Sequence, residues 1–423
     1  MSTDKEVPYY MDPSFLRGLT QKRITRRTAL QGAGAVSMAA FMAACGIGSK
    51  PAAVAHTNWV WDKATKAGVL DFANWPLYID TLEVNGKTTY PTLDQFAKDT
   101  SIKVTYTEPI LDNNSFFAKV APLLAQGQSI GYDIIVVTNG IFLTDYLLKS
   151  WLTELDLTKL PNFTQYASPR LQARAFDPGN RFTIPWQSGF TGIGYNPNLT
   201  GREITSFNDL FDPKFKGKVG MFAENQDLGN LVLVGMGVKP ENSTPKDWQA
   251  AADKLKKQRD DGIVRKYYDQ SYIDALKTGQ TAISMAWSGD IFQANLSAGN
   301  HDLKFVIPDE GGVIWTDNMA IPVGAAHPLD AITYMNWVYQ PRVAATMAES
   351  IEYITPVPSA QTYITQDSAA ATNAADKASL LELSTDPAIF PSQDTLAKTS
   401  YYRVLDPVET TVWNDIFNAV ILS

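Results

Sequence analysis

Residues 133–138, "DIIVVT", decide the fold class. Four consecutive Ile and Val residues leave no polar face, so a strand built from them is covered on both sides. Such a strand belongs to a sheet lying between layers of helices. Working outward, short apolar runs alternate with amphipathic ones. "VLDFANW" (69–75), "IKVTYTE" (102–108), "KVGMF" (218–222), "AISMAW" (282–287) and "LKFVIP" (303–308) predict strands. "SFFAKVAPLLAQGQ" (115–128), "WQAAADKLKKQRD" (248–260) and "PLDAITYMNWVYQ" (328–340) predict helices between them. Strand–helix alternation gives βαβ units and parallel sheets, hence an α/β fold. A single open sheet for about 350 residues is large, so two lobes are expected. "TGIGYNP" (191–197) and "WTD" (315–317) are the candidate joints. Residues 361–390, rich in Ala, Ser and Thr, read as surface structure, and no internal repeat is evident.

The bulk properties exclude several functions. Apolar residues make up 45% of the 423 and charged residues 19%, which is a globular composition with large cores. A formal charge of −8 argues against a nucleic-acid surface and is compatible with attracting small cations. His56, His301 and His327 are far apart in sequence and form no close metal pattern. There is no GxSxG elbow, no Walker A loop, no GxGxxG after a strand and no Cys–His pair. No catalytic residue, metal ligand or cofactor is therefore predicted. Among 44 acids a glycosidase-like carboxylate pair can always be found, but nothing singles one out.

The only cysteine, Cys45, excludes an intramolecular disulfide and a Cys-based zinc site. It closes the run "ITRRTALQGAGAVSMAAFMAACG". Arg26 and Arg27 precede a weakly apolar Ala/Gly/Met stretch that ends in Ala43 and Ala44, the pattern of a charged region, an apolar region and a small-residue cleavage site. The stretch is too short and weak to span a membrane. It resembles a twin-arginine export signal joined to a bacterial lipobox, with Met42 where a Leu is usual. In that reading residues 1–44 are removed, Cys45 is lipidated, and 45–67 tether the protein to the outer face of the cytoplasmic membrane. Removing the six basic and three acidic residues of 1–44 leaves a formal charge of −11. The bland alternative is an N-terminal helix with a chance cysteine.

What stands out in the remaining chain is aromatic residues beside acids. "ANWPLY" sets Trp75 and Tyr78 at the end of the first strand, and "AWSGD" sets Trp287 at the end of another. "FAENQDLGN" places Glu224 and Asp227 just after the strand 218–222. In "GGVIWTDNMAIP" (311–322), alternation puts Trp315, Asp317, Met319 and Ile321 on one strand face. Open α/β sheets bind ligands beyond the carboxyl ends of their strands. A ligand with ammonium groups separated by methylenes suits this mixture: carboxylates take the charges, and aromatic faces take the cationic ends and the spacer. Each residue also has a bland reading. A tryptophan taken alone is more often core, and Glu224 and Asp227 alone are helix N-terminal acids. Asp317 on an apolar face needs a partner, either a cationic ligand or a structural Arg or Lys.

Taken in order, "NWPLY", "YDIIVVT", "LTKLPNF", "IPWQSGFTGIGYN", "FKGKV", "MAWSGD", "EGGVIWTDNMAIP" and "IEYITP" resemble the spermidine/putrescine-binding proteins of bacterial ABC importers, over roughly residues 68 to 405. The resemblance implies a two-lobed periplasmic-binding-protein fold, each lobe a mainly parallel sheet flanked by helices, with the ligand cleft between lobes. Lobe 1 would comprise 68–190 plus 317–360, and lobe 2 191–316 plus 361–423. It implies a polyamine ligand, an ABC permease as partner, and no enzymatic activity; a monomer is expected. The implied ligand-binding residues are Trp75, Tyr78, Thr138, Glu224, Asp227, Trp287, Trp315, Asp317 and Tyr353, with Asp317 unpaired by protein and awaiting an ammonium. Pro76 stands where the family often has a hydroxyl. An expected aromatic is missing around Gly140 and Ile141, with Phe142 nearby, and Tyr402 falls roughly where a glutamine is expected. The alternatives are a same-fold receptor for a sugar, an iron complex or another organic cation, and a lipoprotein glycosidase.

Overall fold

The computed structural model describes residues 61, 65–172, 174–298 and 302–422. Twelve strands are described: β1 (Val69–Ala73), β2 (Leu82–Val84), β3 (Lys87–Thr89), β4 (Lys103–Thr107), β5 (Ile134–Thr138), β6 (Thr183–Tyr195), β7 (Val219–Phe222), β8 (Val264–Tyr268), β9 (Ile283–Trp287), β10 (Lys304–Val306), β11 (Gly312–Ala320) and β12 (Thr399–Tyr401). β2 and β3 form a separate hairpin. The other ten join one mixed sheet in the order β4-β1-β5-β11-β6-β9-β7-β8, with β10 on β6 and β12 on β11.

This sheet has two parallel arms. β4, β1 and β5 run parallel in one, and β9, β7 and β8 run parallel in the other. The arms are joined by antiparallel pairing of β11 and β6, the two longest strands. Each joining strand changes partner along its length. β11 pairs with β12 over Gly312–Ile314 and with β5 over Asp317–Ala320. β6 pairs with β11 from Thr183 to Thr191 and with β9 from Thr191 to Tyr195. One hydrogen-bonded ladder thus runs through both arms. "TGIGY" (191–195), read from its glycines as a joint, lies within β6.

β5 bears out the reading of "DIIVVT". Ile134 and Val136 enter the main core, while Ile135 and Val137 enter a second cluster with Phe116, Val120, Leu143 and Trp151. Alternate residues go to opposite faces, and both faces are covered. The helix Pro245–Asp260 forms where Pro245 at its first turn and a Thr244/Asp247 capping box satisfy the free N–H groups. Its buried residues Trp248, Ala251, Ala252 and Leu255 recur at helical spacing. Residues 361–390, read as surface structure, fold mostly as two helices, Ala360–Ala370 and Ala374–Thr385, packed on one another.

Arg26, Arg27 and Cys45 lie outside the described residues. The end of the expected tether is docked. Trp61 Nε1 donates to the Glu154 carbonyl at 3.2 Å, and Ala67 N–H donates to Asp330 at 2.7 Å. None of the described helices is long and apolar enough to cross a membrane.

Candidate functional site

The expected residues sit where the parallel strands end. Trp75 and Tyr78 follow β1, Thr138 ends β5, Glu224 and Asp227 follow β7, and Trp287 ends β9. Trp315 and Asp317 lie on β11 near its crossing with β6. The site therefore occupies the carboxyl ends of strands from both arms, as open α/β sheets favour.

β11 supplies one acid. Asp317 faces Thr138 across the β5–β11 ladder, and Thr138 Oγ1 donates to Asp317 Oδ1 at 2.6 Å. Tyr78 Oη donates to Asp317 Oδ2 at 2.7 Å. The expectation that no protein group pairs Asp317 is thus corrected: hydroxyls held on adjacent strand ends satisfy both oxygens. Among the described residues no cationic side chain forms an ion pair with Asp317, Glu224 or Asp227. Burial raises the Asp317 pKa from 3.8 to about 6, against the two hydroxyl bonds and with the Asp227 charge adding to the rise. Trp315, Met319 and Ile321 join one core cluster, so the strand face continues inward below the acid.

A bulge explains how Tyr78 is aimed. Asp317 pairs with Gln187 but Asn318 pairs with Pro185, leaving Trp186 as the extra residue on β6. Pro185 has no N–H to give, and such positions favour bulges. The displaced Trp186 donates Nε1 to the Tyr78 carbonyl at 3.2 Å, and Asn74 Nδ2 donates to the same oxygen at 3.2 Å.

The other arm supplies two acids. Glu224 is the N-cap of the helix Asn225–Gly235 and accepts the Asp227 N–H at 2.6 Å, so the bland reading of this pair holds in part. Asp227 is buried and carries more than a cap requires. It accepts Thr191 Oγ1 at 2.5 Å, Tyr402 Oη at 2.6 Å and Trp287 Nε1 at 3.1 Å. Burial pushes its carboxyl upward against those three bonds. Glu224 is exposed, and desolvation and then the Asp227 charge raise its carboxyl as well.

Aromatic rings bridge the acids. Tyr353 packs edge-on to Tyr78 at 5.8 Å and tilted on Trp315 at 5.4 Å. Its hydroxyl donates to Asp290 Oδ1 at 2.8 Å, and Tyr272 Oη donates to Oδ2 at 3.0 Å. Gly189 faces Trp315 across β6–β11, and a Cβ there would overlap the indole and lie 2.9 Å from Tyr353. The site is thus built around rings seated on bare backbone.

Two residues of this network are not among the site residues that the sequence implies. Tyr402 enters from the C-terminal segment with no local motif, and its signal, a tyrosine where a glutamine was expected, was only a mismatch. Asp290 stands in the quoted "AWSGD", and its spacing of three from Trp287 was the available signal. Trp75 is half-buried and donates Nε1 to the Val136 carbonyl at 3.2 Å. Phe142 packs on Phe117 at 5.4 Å within the second core cluster.

Among the described residues, one metal-like cluster is assembled that the sequence spacing hid: Asp71, Asp133 and His327. Its central carboxylate is already engaged. Asp133 accepts the backbone N–H of Asp71 at 2.9 Å and of His327 at 2.7 Å, and meets His327 Nδ1 at 2.9 Å. It ties the start of β5 to β1 and to the helix Pro328–Trp337.

The chain as a whole is similar to known proteins. Residues 92–382 match the family described as bacterial extracellular solute-binding protein. The chain is 30% identical over 312 residues to spermidine/putrescine-binding periplasmic protein 1 of Haemophilus influenzae, covering 74% of this chain and 79% of that one. It is 28% identical over 337 residues to the spermidine/putrescine-binding periplasmic protein of Salmonella typhimurium, covering 79% and 86%. Among solved structures, the substrate-binding protein PotD of a Streptococcus pneumoniae spermidine/putrescine ABC transporter superposes with a TM-score of 0.68 at 25% identity, covering 84% of this chain and 98% of that one.

Proposed function

Because the chain belongs to the bacterial extracellular solute-binding protein family and has spermidine/putrescine-binding proteins among its relatives, we propose that it is a non-enzymatic receptor that captures a polyamine between its two sheet arms and hands it to an ABC permease. One observation carries the reading. Asp317 from the joining strand β11 and Glu224 and Asp227 from the arm of β7 converge among aromatic rings, and among the described residues only neutral donors are bonded to their side chains. Asp317 and Asp227 are buried without a compensating positive charge, and an ammonium supplies it. A sugar site would use the rings but not three acids, and an iron site would use Tyr or His ligands rather than tyrosines committed to carboxylates.

The reading assigns Trp75, Tyr78, Thr138, Trp287, Trp315 and Tyr353 to the walls of the cleft. It divides the chain into 68–190 with 317–360 and 191–316 with 361–423, joined by β6 and β11. Acids on both sides of the cleft make the closed form the better binder, so ligand shifts the population toward closure. Calorimetric titration with putrescine, spermidine and spermine tests the ligand class, with a sugar panel and ferric citrate as competitors and mass spectrometry of the recovered ligand as the check for turnover. Binding confined to sugars or iron, or chemical conversion of the ligand, refutes it. The same reading places the lipid anchor at Cys45. A Cys45→Ser variant is expected to lose metabolic lipid labelling and membrane association; retention of both refutes the anchor.

A further inference from the structure

We propose that Gln226 is a positioning residue that fixes the distance between the acids of the two arms and so selects the amine spacing the site accepts. The inference rests on the polyamine reading above and deepens it. Gln226 lies one residue before Asp227, at the start of the helix that follows β7. Its side chain crosses to the other arm. Oε1 accepts the Ile141 N–H at 2.8 Å, and Nε2 donates to the Asn139 carbonyl at 3.1 Å. Both groups belong to the turn directly after Thr138, the residue that holds Asp317.

The receiving turn is shaped for this amide and cannot shift freely. Gly140 has φ 115° and ψ −142°, a conformation that glycine alone adopts without strain. A Cβ on residue 140 would overlap the Gln226 amide. Asn139 is locked to β11. Its N–H donates to the Thr316 carbonyl at 2.9 Å, and its Oδ1 accepts the Thr316 N–H at 2.7 Å, next to Asp317. The contacts Asp227–Gln226–Asn139–Thr316–Asp317 thus run unbroken from one acid to the other in this arrangement of the arms. A side chain with a two-point hydrogen-bonded fit to backbone tolerates little change in separation. An amine of the wrong length must break that fit to engage acids on both arms, whereas the right length leaves it intact.

The test is a calorimetric series of α,ω-diamines from 1,3-diaminopropane to cadaverine, with spermidine and spermine, on the full chain. The wild type is expected to discriminate sharply between neighbouring lengths. Gln226→Ala is expected to reduce the affinity ratio between the best and next-best amine at least tenfold, while both still bind. Gly140→Ala, which displaces the same amide, is expected to flatten the series in the same way; melting curves confirm that each variant is folded. A merely structural Gln226 would lower all affinities by one factor and leave the ratio unchanged, which overturns the inference. A wild type that binds every length equally overturns it too. A wild type that binds no amine instead overturns the polyamine reading itself, so the two failures are distinct.

Discussion

Tyr402 donates its hydroxyl to Asp227 Oδ1 at 2.6 Å, although 175 residues separate the two in the chain. The bond joins the segment after β12 to the start of the helix after β7, and it completes a three-donor cradle with Thr191 and Trp287. That cradle opposes the rise that burial imposes on the Asp227 carboxyl, without cancelling it.

Tyr402→Phe removes one donor and keeps the ring. Hydrogen bonds to charged groups contribute about 1.5–3 kcal/mol. Because Tyr402 is among the groups that lower the Asp227 pKa, its loss raises that pKa further. Amine affinity is expected to fall by about tenfold or more near neutral pH, at about 1.4 kcal/mol per decade, and to recover in part at higher pH. Calorimetry across pH checks this, and an unchanged affinity would remove Tyr402 from the site.

Asp317→Asn is expected to weaken binding and strengthen the empty protein. Truncating one partner of a buried charge pair costs about 2–5 kcal/mol, chiefly in dissociation rate. In the empty protein the sign reverses. The folded carboxyl has its pKa at about 6 against an ordinary 3.8, so the folded state holds a proton that the unfolded chain releases. The stability this group contributes is present below 3.8 and lost as pH rises through about 6. A shift of about two units corresponds to roughly 3 kcal/mol. The variant should therefore melt above the wild type at about pH 8, with the gain fading in acid. Melting below the wild type at alkaline pH would mark Asp317 as a structural acid.

Affinity for an amine is expected to fall as pH drops from about 8 to about 6, because raised acids must release protons to bind an ammonium. Glu224, Asp227 and Asp317 are all raised, by burial first in each case. Each carboxyl that must lose a proton contributes up to about tenfold per pH unit. Titrations in buffers of different ionisation enthalpy should detect the released protons. Affinity constant over this range would contradict the burial of the acids.

Gly189→Ala forces a methyl group into the Trp315 ring and against Tyr353. Overpacking of this kind costs about 1–3 kcal/mol. The melting temperature and the amine affinity are expected to fall together, with a change in near-ultraviolet dichroism from the displaced rings. Lower stability with wild-type affinity would show that these rings do not wall the ligand.

The strands were legible because each is short, apolar and flanked by polar helix signals. "VLDFANW", "IKVTYTE", "KVGMF", "AISMAW" and "LKFVIP" all form strands within the predicted bounds. The glycines of "TGIG", read as a joint, lie within the joining strand β6 as regular strand. Their missing side chains make room instead: a Cβ at Gly192 would meet Phe305 and the Val306 carbonyl, and one at Gly194 would meet Ile291.

The sequence by itself determined the α/β class, the strand ends that carry the candidate site, and the residue types gathered there. Those depend on period, propensity and composition, which are local properties. Only the tertiary structure decided who partners whom. Asp317 could not be seen to meet Tyr78 and Thr138, nor Asp227 to meet Tyr402, because such bonds depend on strand order and register rather than on neighbours in the chain. The bulge at Trp186 and the seat of Gln226 on Gly140 follow the same rule. Each is set by how two distant backbones approach, and that approach is fixed by packing of the whole sheet.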